Sequence, residues 1–151
     1  MKKQITRALI IVGMLFVLVA SASAQTARRI TVQIPFDFVA GQKHLPSGRY
    51  VVRAIVRDSE KMLLIRSEDG REQAAFTTNS AGGGESVGKA RVSFRQYGER
   101  FFLAAVSLPG ASSVRELPKS RDEKSLDREL REAAKAGDAA FKTVTLMGSV
   151  R

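Results

Sequence analysis

Hydrophobic and polar residues alternate along most of this chain with the period of a strand. Ile30, Val32, Ile34, Phe36 and Phe38 occupy every second position, with Thr31, Gln33 and Asp37 between them. Two-residue periodicity of this length predicts a half-buried β-strand. Pro35 interrupts it; proline has no N–H to give to a ladder, so a bulge or an edge position is expected there. A turn is expected over Gly41 to Gly48, then a second strand over Arg49 to Arg57 carrying Tyr50, Val51, Val52, Ile55 and Val56. After a polar break at Asp58-Ser59-Glu60, Met62 to Arg66 and Glu72 to Thr77 read as two strands. Asp69-Gly70 lies between them, and that dipeptide favours a tight type I′ hairpin.

Asn79 to Gly88 reads as a loop centred on Gly82-Gly83-Gly84, expected to be the most mobile internal segment because glycine adds backbone freedom and nothing to pack. Lys89 to Gln96 alternates again, with Val92 and Phe94 on one face and Arg91, Ser93 and Arg95 on the other. Tyr97-Gly98-Glu99 is a short turn. Phe101 to Leu108 is almost wholly apolar, the pattern of a central strand covered on both faces, and Val114 to Leu117 is a brief further strand.

The texture changes at Pro118. Ser120-Arg121-Asp122-Glu123 has the form of a capping box, in which Ser120 accepts from the third helical N–H and Glu123 bonds back. A helix is predicted over about 121–136, with Gly137 just past its end. Leu126, Leu130, Ala133 and Ala134 form one narrow stripe, so the helix is expected on the outside of a sheet. Phe141 to Met147 reads as a final strand, with Val144 and Leu146 on one parity and Phe141 and Met147 on the other. The whole predicts a mostly β fold: an antiparallel sandwich or small barrel of six to eight strands with one helix near the C-terminus.

The first residues have a different pattern. Lys2, Lys3 and Arg7 precede an apolar run from Ala8 to Ala20, and Ser21-Ala22-Ser23-Ala24-Gln25 follows. Basic flank, apolar stretch and small-residue site make a secretory signal peptide over residues 1–24. The run is short of the about 20 residues that a membrane span needs. Residues 25–151 are then expected to be a single β domain, secreted or periplasmic, with no transmembrane anchor after cleavage.

The 151-residue chain has a net charge of +10, no cysteine and one histidine, His44. Thiol chemistry and cysteine metal sites are thereby excluded. Three of the surplus positive charges, Lys2, Lys3 and Arg7, lie in the leader. Export points away from nucleic acid and towards anionic envelope polymers or polysaccharides as partners. Basic residues are interspersed with acidic ones, so no charged tail is marked.

Several segments occur together in a distinctive order: Ile34-Pro35-Phe36-Asp37-Phe38, Leu45-Pro46-Ser47-Gly48-Arg49-Tyr50, Phe94-Arg95-Gln96-Tyr97-Gly98, Phe101-Phe102-Leu103 and Arg115-Glu116-Leu117-Pro118-Lys119-Ser120. The chain thereby resembles a family of small uncharacterised exported β proteins typical of acidobacteria. The resemblance implies an exported all-β domain and carries over no catalytic residue.

Motifs with chemical precedent each meet an obstacle. Gly83 to Ala90 approaches the phosphate-loop pattern, but Ala90 has no hydroxyl for magnesium and a strand pattern follows where a helix is needed. Ser86-Val87-Gly88-Lys89 matches the Ser-x-x-Lys nucleophile pattern, but Gly88 opposes the helix that would set lysine beside serine. His44 reads as a solvated loop histidine. Asp58, Glu60, Glu68 and Asp69 read as turn residues around one hairpin, although paired carboxylates can hydrolyse glycosides or hold calcium.

The remaining feature is basic. Arg49, Arg53 and Arg57 share one face of a strand, and Arg91 and Arg95 share a face of another. Were those faces adjacent, a stripe of guanidinium groups would bind an anion by bidentate hydrogen bonds. The expectation is a noncatalytic binding or structural module of the envelope or extracellular space, with no cofactor and no metal. A carrier enclosing a small apolar ligand and a carboxylate-based hydrolase are the alternatives.

Overall fold

The computed structural model describes residues 29–56, 59–83, 88–111, 113–133 and 141–150. The predicted leader, Arg57, Asp58 and residues 84–87 lie outside them. The described residues form twelve strands: β1 (Arg29–Ile34), β2 (Phe38–Ala40), β3 (Lys43–Leu45), β4 (Gly48–Val56), β5 (Ser59–Ser67), β6 (Gln73–Thr77), β7 (Asn79–Gly83), β8 (Arg91–Tyr97), β9 (Arg100–Ser107), β10 (Ser113–Glu116), β11 (Lys142–Met147) and β12 (Ser149–Val150). One helix, α1 (Arg121–Ala133), lies between β10 and β11. Residues 134–136 of the predicted helix lie outside the described residues.

Two sheets result. One has the order β12-β1-β4-β5-β6; the other has the order β11-β8-β9-β10-β7, with the β2–β3 hairpin attached through β2 to β9. Every pairing is antiparallel except β2 with β9. The fold is a two-sheet sandwich, and no closed barrel forms. The strands outnumber the six to eight expected because one alternating run divides, the stretches read as a turn and a loop each contribute a strand, and β12 follows β11. The run from Ile30 to Phe38 breaks at Pro35: Ile34 ends β1 in the first sheet, and Phe38 opens β2 in the second. The stretch read as a turn, Gly41 to Gly48, contains β3. The stretch read as a loop contributes β7, whose poor strand formers are held by pairing with β10. Gly82, at φ 67°, falls where that register shifts, so it is the extra residue of a bulge.

At both lateral edges the chain passes between sheets through one residue. Thr78 separates β6 from β7, and Gly148 separates β11 from β12. Such corners let a strand end in one layer and begin in the next. Thr78 N donates to Lys61 O at 2.7 Å, and Gly148 N donates to Ala90 O at 3.0 Å.

Between the sheets lie Ile30, Val32, Ile34, Tyr50, Val52, Leu63 and Ile65 from the first, with Phe38, Val92, Phe94, Leu103 and Val106 from the second. Aromatic rings fill the centre. Phe38 meets Tyr50 and Phe94 edge to face at 5.2 and 5.5 Å. Phe36, on the crossing after Pro35, stacks on Phe101 at 3.8 Å. The Tyr50 hydroxyl donates to Pro46 O at 2.7 Å, four residues upstream. That tyrosine corner gives a structural reason for the Leu45-Pro46-Ser47-Gly48-Arg49-Tyr50 segment.

The other face of the second sheet carries a smaller cluster. Val39, Tyr97 and Phe102 are buried there against Leu126, Leu130 and Phe141. The narrow leucine stripe therefore docks α1 on the outside of the sandwich. Central β9 is covered on both sides, by the main core at Leu103 and Val106 and by α1 over Phe102.

Candidate functional site

The five arginines singled out from the sequence do not form one stripe. Arg49 and Arg53 lie on β4 in the first sheet, while Arg91 and Arg95 lie on β8 in the second. Arg57 lies outside the described residues. Arg91 is exposed. Arg95 is engaged beneath the helix. Its Nε and Nη2 both bind the Glu123 carboxylate, Nη2 at 3.1 Å, and Nη2 also reaches Leu117 O at 3.3 Å. Glu123 is 2 % exposed and the Arg95 side chain 13 %. This bidentate pair is a fastening for α1.

The fastening extends through neighbours. Ser120 Oγ accepts from Glu123 N at 3.1 Å, so half of the expected capping box forms while the Glu123 side chain goes to Arg95. The Tyr97 hydroxyl lies 3.3 Å from both Glu123 Oε1 and Asp127 Oδ1. Burial pushes that phenol well above its ordinary pKa, and the Glu123 and Asp127 charges add to the effect. Burial alone would raise the Asp127 carboxyl, but Lys119 at 2.9 Å and Arg131 at 3.1 Å outweigh it and hold the group below the usual range.

The opposite outer face, on the first sheet, has no helix over it among the described residues. Its composition follows from register. Arg29 stands opposite Arg53, Arg53 opposite Leu64, and Leu64 opposite Ala75. The next row is Ser149, Thr31, Val51, Arg66 and Gln73. Glu68 N donates to Arg49 O at 2.9 Å, so the odd residues of β4 direct their backbone bonds towards β5. Arg29 and Arg53 are consequently a non-hydrogen-bonded pair, the closer of the two antiparallel spacings. Two like charges directly opposite are unfavourable. Neither has a carboxylate partner among the described residues. Arg49 is paired with Glu68 at 3.3 Å, and Arg66 leans over the turn at Gly70. Ile55 and Met62, on the strands that carry Arg53 and Arg66, are 40 % and 41 % exposed.

Arg29 and Arg66 are not marked out as site residues by any local sequence pattern. The parity of Arg29 with Thr31 and Gln33 signals its outward direction, but its position beside Arg53 depends on pairing between strands that no local pattern encodes.

The other candidates resolve individually. His44 is exposed and sits on β3, beside Asp37, Glu99 and Arg100 in a cleft of about 330 Å³. Asp69 belongs to the connection Glu68–Glu72 between β5 and β6, longer than the tight turn expected. Its carboxylate accepts from Ser67 Oγ and Arg71 N, and these bonds lower its pKa. Glu68 pairs with Arg49. Asp58 and the side chain of Glu60 lie outside the described residues. After the glycine-rich segment, strand β8 follows, which is not the helix a phosphate loop requires. Ser86 lies outside the described residues.

Among the described residues no cluster of three His, Asp or Glu side chains is placed to hold a metal ion, and no helix is long and apolar enough to cross a membrane. Comparison with family models, with curated proteins and with solved structures returns no match.

Proposed function

We propose that this protein is an exported, noncatalytic binding module of the cell envelope or extracellular space. On this reading the open face of the five-stranded sheet holds an anionic polysaccharide or a similar envelope polymer. The observation behind it is the Arg29–Arg53 pair: two exposed arginines directly opposite each other in the β1–β4 ladder, neither with a carboxylate partner among the described residues. A bridging anion relieves their repulsion and accepts hydrogen bonds from both. Support for export comes from the leader pattern at residues 1–24 and from the family resemblance. The aromatic rings between the sheets occupy the space that an internal apolar ligand would use, so the carrier reading gains nothing from this core.

The test is retention of the protein, from residue 25 onward, on immobilised sulfated dextran and on uncharged dextran. Binding to the sulfated resin at low salt, lost at high salt and absent from the uncharged one, is the expected result. Passage through the sulfated resin at low salt ends the reading. Export is checked separately, by fractionating the native host; full-length chain retaining Met1 in the cytosol would contradict it.

A further inference from the structure

The edge of the first sheet at β6 is open in a way that the basic face does not involve. Ser67 N donates to Glu72 O at 2.8 Å and Thr78 N donates to Lys61 O at 2.7 Å. With Leu64 opposite Ala75, the ladder alternates so that Glu72, Ala74, Phe76 and Thr78 direct their backbone bonds to β5. Gln73, Ala75 and Thr77 therefore direct N–H and C=O away from the sheet. None of the three has another hydrogen-bond partner among the described residues.

Open edges of this kind recruit other strands, and proteins commonly blunt them with charge or proline. The sequence of β6, Gln-Ala-Ala-Phe-Thr, does neither. Instead the edge forms one wall of a cleft of about 610 Å³. All five residues of β6 line it, a length of about 17 Å in extended chain. The far wall is the β2–β3 hairpin from Ala40 to Lys43 and the segment Leu117 to Ser120 before α1. Gly41 approaches closely, and a side chain there would begin 3.5 Å from Phe76 Cβ. Two lysines, Lys43 and Lys119, line the cleft, and no Asp or Glu does.

We propose that this cleft is a second binding site, for an extended peptide segment bearing carboxylates, which adds to the first sheet as a strand beside β6. The backbone of Gln73, Ala75 and Thr77 supplies the hydrogen bonds. Lys43 and Lys119 set the charge preference. Each also holds an acid of this chain, Glu72 at 2.8 Å and Asp127 at 2.9 Å. The small outward residue Ala75 leaves the middle of the edge accessible.

The test uses backbone amide NMR of the protein from residue 25 onward. In the free protein the amides of Gln73, Ala75 and Thr77 exchange with solvent fast, while those of Ala74 and Phe76 are protected; protection of the first three would overturn the proposal. The probe is acetyl-Glu-Thr-Val-Thr-Val-Thr-Glu-amide. It is expected to shift and protect those three amides. A version with lysine for both glutamates binds at least tenfold more weakly, and a version N-methylated at alternate residues does not bind. Absence of shifts at millimolar probe overturns the proposal, as does equal binding of the N-methylated peptide. Equal binding of the lysine peptide refutes the charge preference. The variant Ala75→Pro, judged for folding by the unchanged amide spectrum of β8 and β9, loses the response. Sulfated dextran leaves these amides unmoved, so this site and the basic face fail or succeed separately.

Discussion

Glu123 on α1 and Arg95 on β8 form a bidentate ion pair between helix and sheet, and the carboxylate is almost wholly removed from water. Leu126 and Leu130 supply the apolar part of the same contact. Polar bonding and apolar burial thus share the work of holding the helix.

Removing one partner leaves the other charge buried alone. Glu123→Ala is expected to destabilise the protein by about 3 kcal/mol, the scale for breaking a buried pair. Replacing both, as Arg95→Met with Glu123→Leu, restores most of that loss, because an apolar pair of similar volume needs no compensation. Urea unfolding of the wild type and the two variants measures both effects; a double variant as unstable as Glu123→Ala would contradict this account.

Helix docking also depends on pH. Asp127 is more acidic in the folded protein than in the unfolded chain, so the unfolded chain takes up the extra proton first as pH falls. The stabilisation is complete above the ordinary Asp value of about 4 and is lost as pH drops through the lower folded value. Tyr97 acts at the other limit. Its raised pKa makes ionisation cheaper in the unfolded chain, so stability declines above the ordinary tyrosine value of about 10. Unfolding midpoints measured across pH show both limbs. Asp127→Asn flattens the acid limb, and Tyr97→Phe flattens the alkaline one.

The tyrosine corner is testable by one atom. Tyr50→Phe deletes the hydroxyl that bonds Pro46 O and leaves the ring between Phe38 and Gly48. A loss of about 1 kcal/mol is expected in chemical denaturation, the usual net value of one hydrogen bond.

Local chemistry made some elements legible and hid others. The alternation of Val92 and Phe94 against Ser93 and Arg95 is enough to orient β8, and Ser120 followed by acids is enough to start α1. Pro35 was legible as an interruption, but nothing in the flanking residues says that the chain changes sheets there. The Asn79–Gly83 strand was invisible because its order comes from β10 and from the Arg115 contact to Ser80 Oγ. Arg95 and Arg53 look alike in sequence, each outward on an alternating strand. A helix covers the first and none of the described helices covers the second, so long-range packing alone separates a fastening from a candidate binding residue.

The corner at Gly148 requires close approach. A Cβ there would stand 3.2 Å from Ala90 Cβ and 3.3 Å from the carbonyl oxygen of Thr31. Backbone cannot retreat as a flexible side chain can, so Gly148→Ala is expected to lower stability by about 1–3 kcal/mol, in the range of overpacked sites. Gly88→Ala is the control, since nothing lies within 4 Å of its added carbon. Thermal unfolding that leaves Gly148→Ala and Gly88→Ala indistinguishable would show that the corner tolerates a side chain.

The basic face makes opposite demands on stability and binding. Arg29 and Arg53 repel across the β1–β4 ladder, so Arg29→Gln removes an unfavourable interaction from the free protein. Its thermal midpoint is expected to stay level or rise slightly. The same substitution removes one of two donors for a bridging anion, so retention on sulfated dextran is expected at a lower salt concentration than for wild type. Arg91→Gln, on the other sheet, changes the net charge equally and is expected to shift elution less. That contrast separates a local site from the general attraction of a basic protein to a polyanion. Equal shifts for the two variants would assign retention to net charge and leave the Arg29–Arg53 pair without a role in binding.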